Sequence, residues 1–402
     1  MVIPSYWARE SDDGWLEGDA IYDHPTPLDS RGTLPRALRS IDILKNKDFQ
    51  LVIVTVATTE DIEGQVEKKV ASIIKSATMG VEVFLFGPSH LKQIHDLLIN
   101  ENKKEYNDLI QLNGYSNIRN LCTFIPHILG SEVAVLIDDD EVFEDPEFMS
   151  KAKEFIGKNI EGRIVNAVAG YYLQPNGDYH IEKAFRPWMK YWDKYAKMNK
   201  AFDNIIGSEP RIKKTPFIFG GNMIIHKNLF DAVPFDPNVP RGEDIDFLIN
   251  ANMFGFNFFL DNQLSIRHLP PPKTHPTWMQ LREDIYRFIY EREKIENQNE
   301  IKGMTKVYPE DFDPYPGCFL KRDLEKKIEK SCQLLSKEYL ALGDKQSSDE
   351  ALKNIILSRT DAVPKFDPFK KICEIQKRWK ELIKYTSKRE VRSRIAEIIV
   401  RT

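Results

Sequence analysis

The feature that most constrains the fold is the run Val133-Ala134-Val135-Leu136-Ile137, followed at once by Asp138-Asp139-Asp140-Glu141. Five consecutive apolar residues rich in Val and Ile fit a strand buried on both faces, as in sheets covered by helices. Carboxylates at its C-terminal end place negative charge where open α/β sheets bind ligands. Adjacent carboxylates raise one another's pKa unless a cation neutralises them. Mg²⁺ and Mn²⁺ suit that task, because hard divalent ions take oxygen ligands from carboxylates and substrate phosphates. The pattern predicts a metal–diphosphate site with Asp138 and Asp140 as an Asp-x-Asp pair. A strand ending in a solvated acidic turn, continued by Asp145-Pro146, fits the same residues, so the flanking chain has to decide.

Upstream, strand and helix periods alternate. Residues 1–18 show no clear period. Residues 20–27 predict a first strand running into a Pro-rich loop. Helical stripes cover 33–44, 60–77, 91–99 and 117–129, and strands cover 50–57 and 81–86. This alternation predicts an α/β fold, a parallel sheet with right-handed crossovers and helices on both faces.

Downstream the pattern changes. Residues 162–173 predict a strand, with a turn at 174–178 and a hairpin partner after it. The aromatic stripe through 185–198 reads as packing. Phe217 to Ile225 is apolar structure interrupted by Gly220-Gly221, and Gly242-Glu243-Asp244 opens a helix. Residues 256–260 predict a short strand, and Arg267-His268-Leu269-Pro270-Pro271-Pro272 a loop. From Thr277 the chain reads as helical, its lysines and glutamates forming solvated faces. The expected organisation is an extension at 1–18, an α/β domain at 19–276 divided after residue 145, and a helical C-terminal region at 277–402.

A chain of 402 residues, 42% hydrophobic and 29% charged with net charge −4, has the composition of a soluble globular protein and argues against a general nucleic-acid binder. Four scattered cysteines offer no zinc or disulfide framework, which predicts a reducing, cytoplasmic setting. The N-terminus lacks the apolar core of a signal peptide. No stretch approaches the ~20 apolar residues of a membrane span, which leaves peripheral membrane contact open.

Taken together, Thr33-Leu34-Pro35-Arg36-Ala37-Leu38-Arg39-Ser40, Ser116-Asn117-Ile118-Arg119-Asn120, the Asp-rich strand end, Phe219-Gly220-Gly221-Asn222-Met223-Ile224-Ile225 and Gly242-Glu243-Asp244-Ile245-Asp246-Phe247 resemble the GT-A glycosyltransferases, especially the family 2-like group. The resemblance spans about residues 18–270. It implies a GT-A fold, a Rossmann-like mixed sheet with helices on both faces, here with a C-terminal helical extension. It implies a hexosyltransferase that uses a UDP- or GDP-sugar with Mn²⁺ or Mg²⁺ and a carbohydrate or other hydroxyl acceptor. By the same resemblance, Pro25, Thr26, Thr58, Glu60, Arg119, Asn120, Asp138 and Asp139 would hold the donor. Asp138, Asp140 and His268 would hold the metal. Gly220, Gly221, Asn222 and Arg267 would contact substrate, and Asp244, or Glu243 if the helix start differs by one residue, would be the base.

The chemistry is consistent: a metal neutralises the diphosphate leaving group, a carboxylate takes the acceptor proton, and glycines let backbone approach a sugar. Other readings fit single pieces. Gly220-Gly221 can be a tight turn, Glu243-Asp244 a favourable helix start, and His268 structural, with Arg267 as the diphosphate contact. The competing functions are a sugar nucleotidyltransferase, whose Gly-rich N-terminal loop is missing, and a non-catalytic carbohydrate-binding protein.

Overall fold

The Val- and Ile-rich runs form the centre of one mixed sheet in the computed structural model, which describes residues 1–14, 16–77, 79–271 and 275–400. In chain order the strands are β1 (Val2–Ala8), β2 (Thr26–Pro27), β3 (Gln50–Ala57), β4 (Glu82–Phe86), β5 (Val133–Ile137), β6 (Glu141–Val142), β7 (Asn159–Ile160), β8 (Arg163–Ile164), β9 (Ala167–Leu173), β10 (Ile212–Lys214), β11 (Asn222–His226) and β12 (Phe258–His268). The sheet order is β10-β12-β9-β11-β5-β1-β3-β4, with β2 on β1 and β6 on β12; β7 and β8 form a separate ribbon. Strands β4, β3, β1 and β5 are parallel, whereas β11 runs antiparallel to both β5 and β9.

The helices are α1 (Leu34–Ser40), α2 (Glu63–Ser76), α3 (Pro88–Asn100), α4 (Tyr115–Leu129), α5 (Phe148–Glu154), α6 (Lys194–Ile205), α7 (Lys227–Phe230), α8 (Glu243–Met253), α9 (Thr277–Glu296), α10 (Leu324–Ala341), α11 (Lys345–Leu357), α12 (Pro368–Thr386) and α13 (Arg389–Val400). Because strand side chains alternate, β3 sends Val52, Val54 and Val56 into a core shared with α3, α4, α8 and the C-terminal helices. Its Leu51 and Ile53 enter a second core, with α1, α2 and α5. This is the mixed α/β sheet with helices on both faces, followed by helices, that the GT-A resemblance implied.

Several sequence expectations are corrected. The first strand is not in 20–27 but at Val2–Ala8, in the middle of the sheet; only Thr26–Pro27 of the predicted segment pairs. Pro4 and Ser5 hide β1 from a propensity reading. Pro4 is tolerated because Met1 and Trp7 turn their carbonyls to the β3 side, so Pro4 faces the other edge, where β1 meets β5 only at Val2↔Leu136. The 162–173 strand divides into β8 and β9, and β9 pairs with β11 and β12 rather than with a following hairpin strand.

The predicted strand at 256–260 continues to His268, so Arg267 and His268 are in a strand and not a loop; Pro272 lies outside the described residues. A register irregularity between Leu260 and Ser265 interrupts the alternation there. Asp261 lies within it, buried and bidentate to Arg211 at 2.8 and 2.9 Å.

The C-terminal region is helical as expected, but its charges are not all on solvated faces. On α9, Asp284, Arg287, Glu291 and Lys294 are buried. Their 3-4-3 spacing puts them on one stripe; its Asp284 meets Lys194 at the start of α6, its Arg287 lies against Gly242, and its Lys294 meets Asp236 and Asp246. Further on, α12 and α13 return to the sheet. Trp379 donates its indole N–H to the Phe230 carbonyl at 2.9 Å. Arg392 donates to the carbonyls of His127 and Ile128 in the last turn of α4, whose C=O groups lack the usual helical partners; that of His127 also accepts the Gly130 N–H at 3.2 Å. Among the described residues no helix is long and apolar enough to cross a membrane.

Candidate functional site

The acidic segment lies at the C-terminal end of β5. After Ile137 the chain turns through Asp138–Asp140 and re-enters the sheet as β6, which pairs with the end of β12 at His268↔Glu141 and Arg267↔Val142. That pairing brings the carboxylate of Asp140 to the imidazole of His268, with Oδ2 and Nε2 3.3 Å apart. The Tyr172 ring stacks on His268 with centroids 4.8 Å apart, and its hydroxyl accepts the Gly221 N–H at 2.8 Å.

Arg119 comes up from α4 into the middle of this cluster. Its guanidinium meets Asp138 at 2.9 and 3.1 Å and Glu243 at 3.3 Å. The glycine pair is here for space. A Cβ on Gly221 would overlap Glu141 Oε1 and lie 2.7 Å from the Asp138 carboxyl; one on Gly220 would lie 2.9 Å from Arg119 Nη2 and 3.6 Å from Asp244 Cβ. Gly242, at φ +74°, turns the chain into α8 so that Glu243 and Asp244 occupy its first turn.

Burial and like charge leave this cluster short of positive charge. Burial, then Asp138 and Asp140, push Glu141 well above the carboxylate range. Burial and Asp140 push Asp139 to about 8 against its bond from Ser5. Burial lifts Glu243 to about 7, opposed by Arg119 and aided by Asp244. Asp244 is raised by burial, with Arg287 the first charge opposing it. Asp140 goes the other way: burial would raise it, but the hydrogen bond and charge of His268 hold it below the usual value.

The structure thus brings together Arg119, Asp138, Asp140, Gly220, Gly221, Glu243, Asp244 and His268. Other expected residues are placed differently. Asp139 points beneath the turn, where Ser5 Oγ donates to it at 2.6 Å. Asn120 spends its amide on the Phe235 backbone, donating at 3.0 Å and accepting at 2.8 Å. Asn222 is buried and donates to the Leu264 carbonyl at 3.0 Å, where it ties β11 to the irregular part of β12. Arg267 is bidentate to Glu144 at 2.7 and 3.1 Å and also binds the Gln174 carbonyl, so it is spent away from the diphosphate position expected for it.

Pro25 and Thr26 lie beside the end of β1, where Thr26 pairs with Trp7. Thr58 is buried and donates its N–H to the Trp7 carbonyl at 2.9 Å, and Glu60 is exposed at the start of the next turn. Glu141, Tyr172, Ser5 and Arg287 were missed as site residues. Glu141 alone carried a signal, as the fourth carboxylate of the run.

No protein-family model matches the chain, and no curated protein matches it. Among solved structures it is similar to a mannosyltransferase, PcManGT from Pyrobaculum calidifontis, in complex with GDP-Man and Mn²⁺, with 11% identity, 97% of this chain and 86% of that chain covered and a TM-score of 0.46. It is also similar to S. aureus TarS, with 12% identity, 98% of this chain and 54% of that one covered and a TM-score of 0.39. A third is GalNAc-T7 with UDP, GalNAc and Mn²⁺, with 12% identity, 73% and 50% covered and a TM-score of 0.34. Likeness at this level assigns neither activity nor substrate.

Proposed function

We propose that the protein is a GT-A glycosyltransferase that moves a hexose from a nucleoside-diphosphate sugar to an acceptor hydroxyl, with Mn²⁺ or Mg²⁺. The observation that carries this reading is the strand-end cluster itself: Asp140 against His268, and Arg119 spanning Asp138 and Glu243, with Gly220 leaving room for Arg119 and Gly221 for Asp138. Asp140 and His268 would hold the ion. Among the described residues no third His, Cys, Asp or Glu gathers with them as a metal group. A two-donor site suits a hard ion that completes its shell with substrate phosphate oxygens. When bound, the ion would supply Lewis-acid stabilisation of the diphosphate leaving group.

The chain's own residues do the rest. Arg119 keeps Asp138 and Glu243 in place and balances their charge. Glu243 is buried and committed to Arg119, whereas Asp244 is less buried and makes no bond to that guanidinium. Asp244 is therefore the better base for the acceptor hydroxyl, and its upward shift brings it closer to working pH, where a general base is most effective.

The test is a thermal-shift screen of UDP, GDP and their sugars with and without Mn²⁺. A ligand at 100 times its Kd stabilises the native state by about 2.7 kcal/mol. Asp140→Ala should abolish the Mn²⁺-dependent part. Asp244→Asn should lower turnover by about 10²–10⁴-fold with donor binding unchanged. If no nucleotide sugar stabilises or is consumed by the wild type, the reading is wrong. If the product keeps the donor's anomeric configuration, Asp244 loses its role as base.

A further inference from the structure

On the inward stripe of α9, two charged members, Arg287 and Glu291, make no ion pair among the described residues. Asp284 pairs with Lys194, and Lys294 sits between Asp236 and Asp246. Glu291 is buried with neither oxygen hydrogen-bonded. Arg287 is 6% exposed, yet among the described residues it forms no ion pair. Its Nη2 donates to the neutral Tyr315 hydroxyl at 2.6 Å, its guanidinium lies 4.4 Å from the Phe288 ring centre, and its Nε has no hydrogen-bond partner. A desolvated cation without a carboxylate is costly unless it acts on charge nearby.

The carboxylates near Arg287 are Glu291 and Asp284 on its own helix and Asp244 at the start of α8; of these Asp284 is paired with Lys194, and Asp244 is the one in the strand-end cluster. Arg287 lies over Gly242: a Cβ there would fall 2.5 Å from its Cδ and 2.7 Å from its Cζ. Gly242 directly precedes Glu243-Asp244. Gly220 admits Arg119 in the same way, with Asp244 Cβ beside it. Two glycines thus admit two guanidiniums near the start of α8, Arg119 from α4 and Arg287 from α9. Arg119 is ion-paired with Asp138 and Glu243, whereas Arg287 forms no ion pair among the described residues.

We propose that Arg287 is the positioning residue for Asp244, a guanidinium laid along the first turn of α8 that holds this carboxylate charged and aimed at the acceptor hydroxyl. The proposal rests on the glycosyltransferase reading and deepens it, because it makes the helices after the sheet part of the acceptor side. Among the charges facing Asp244, Arg287 opposes its burial more than Arg119 does, while Asp138 works in the opposite sense. Arg287 acts through Asp244 and is not itself placed on substrate.

A double-mutant cycle tests this, with Arg287→Met, Asp244→Asn and the pair assayed for transfer at saturating donor. Groups that act as a unit give non-additive losses, whereas independent structural damage multiplies. Arg287→Met should lower kcat about tenfold or more, within the range of a general base's contribution, while calorimetric donor affinity is unchanged. Arg287→Lys should restore part of it. In the Asp244→Asn background, Arg287→Met should cost almost nothing further.

If Arg287→Met does not fold, Gly242→Ala displaces the guanidinium without deleting it and takes its place in the cycle. Multiplicative losses, a fall in donor affinity instead of kcat, or full activity of Asp244→Asn would each overturn the role of Arg287 in an enzyme that still transfers sugar. A wild type without any transfer would remove the glycosyltransferase reading, and this role with it.

Discussion

Lys294→Met tests whether buried charge holds α9 to the first turns of α8. Lys294 is fully buried and is shared by Asp236 at 2.9 Å and Asp246 at 2.6 Å. It also donates to Asn250 at 3.2 Å, while Tyr290 donates to Asp236 at 2.8 Å. Methionine keeps most of the apolar stem and removes the only cation in direct contact with these carboxylates among the described residues. At least one carboxyl must then be held neutral. Against an unfolded pKa of about 3.9, that costs roughly 5 kcal/mol at pH 7.5. Removing one partner of a buried pair typically costs about 3–5 kcal/mol, so the two routes agree. With an unfolding entropy of about 2 cal/mol/K per residue over 402 residues, the melting temperature should fall by roughly 4–6 °C.

The pH dependence has a definite sign. In the variant, both carboxyls have folded pKa values raised above their unfolded ones. The folded state then binds more protons, and the deficit is largest at high pH and shrinks on acidification toward pH 5. Adding Asp236→Asn and Asp246→Asn should recover more than half of the loss, since a neutral buried cluster needs no cation. Urea denaturation at pH 5 and 7.5 measures all of this. A loss below about 1 kcal/mol, or one independent of pH, would refute the reasoning.

Glu291 is a buried carboxyl raised from 4.5 to about 8, chiefly by burial with Arg287 opposing. Below pH 4.5 both states hold its proton; between about 4.5 and 8 the unfolded state loses it first, so stability falls by roughly 1.4 kcal/mol per unit. Glu291→Gln should remove that slope and be more stable than wild type at pH 8, and equal slopes in paired denaturation curves would contradict this. Gly221→Ala drives a Cβ into Glu141 and to 2.7 Å from the Asp138 carboxyl. It should cost about 1–3 kcal/mol by overpacking and weaken Mn²⁺-dependent nucleotide binding in calorimetric titration. Unchanged affinity would mean that the glycine pair serves only the turn.

Much of this architecture was legible from periodicity, because strands buried on both faces are written as unbroken apolar runs. Strands β3 and β5 appear with the expected limits, and the helices between them follow from their apolar stripes. The run of carboxylates after Ile137 marked the end of the strand where the charge cluster gathers, although Asp139, Asp140 and Glu141 are themselves buried there. The strand β1 was not legible, because Pro4 and Ser5 break the propensity signal, and only the sheet shows which edge Pro4 faces. Nor could spacing show that β6 would pair with β12 and bring Asp140 to His268, a contact between residues 128 positions apart. Neighbouring helical residues point about 100° apart, so Arg119 and Asn120 diverged, one into the charge cluster and the other into the Phe235 backbone. The stripe on α9 is the clearest division. Its 3-4-3 spacing of charges is in the sequence, but a charged face reads as solvated until tertiary structure buries it; here α6 supplied Lys194 to Asp284, and α8 with the loop before it supplied Asp246 and Asp236 to Lys294.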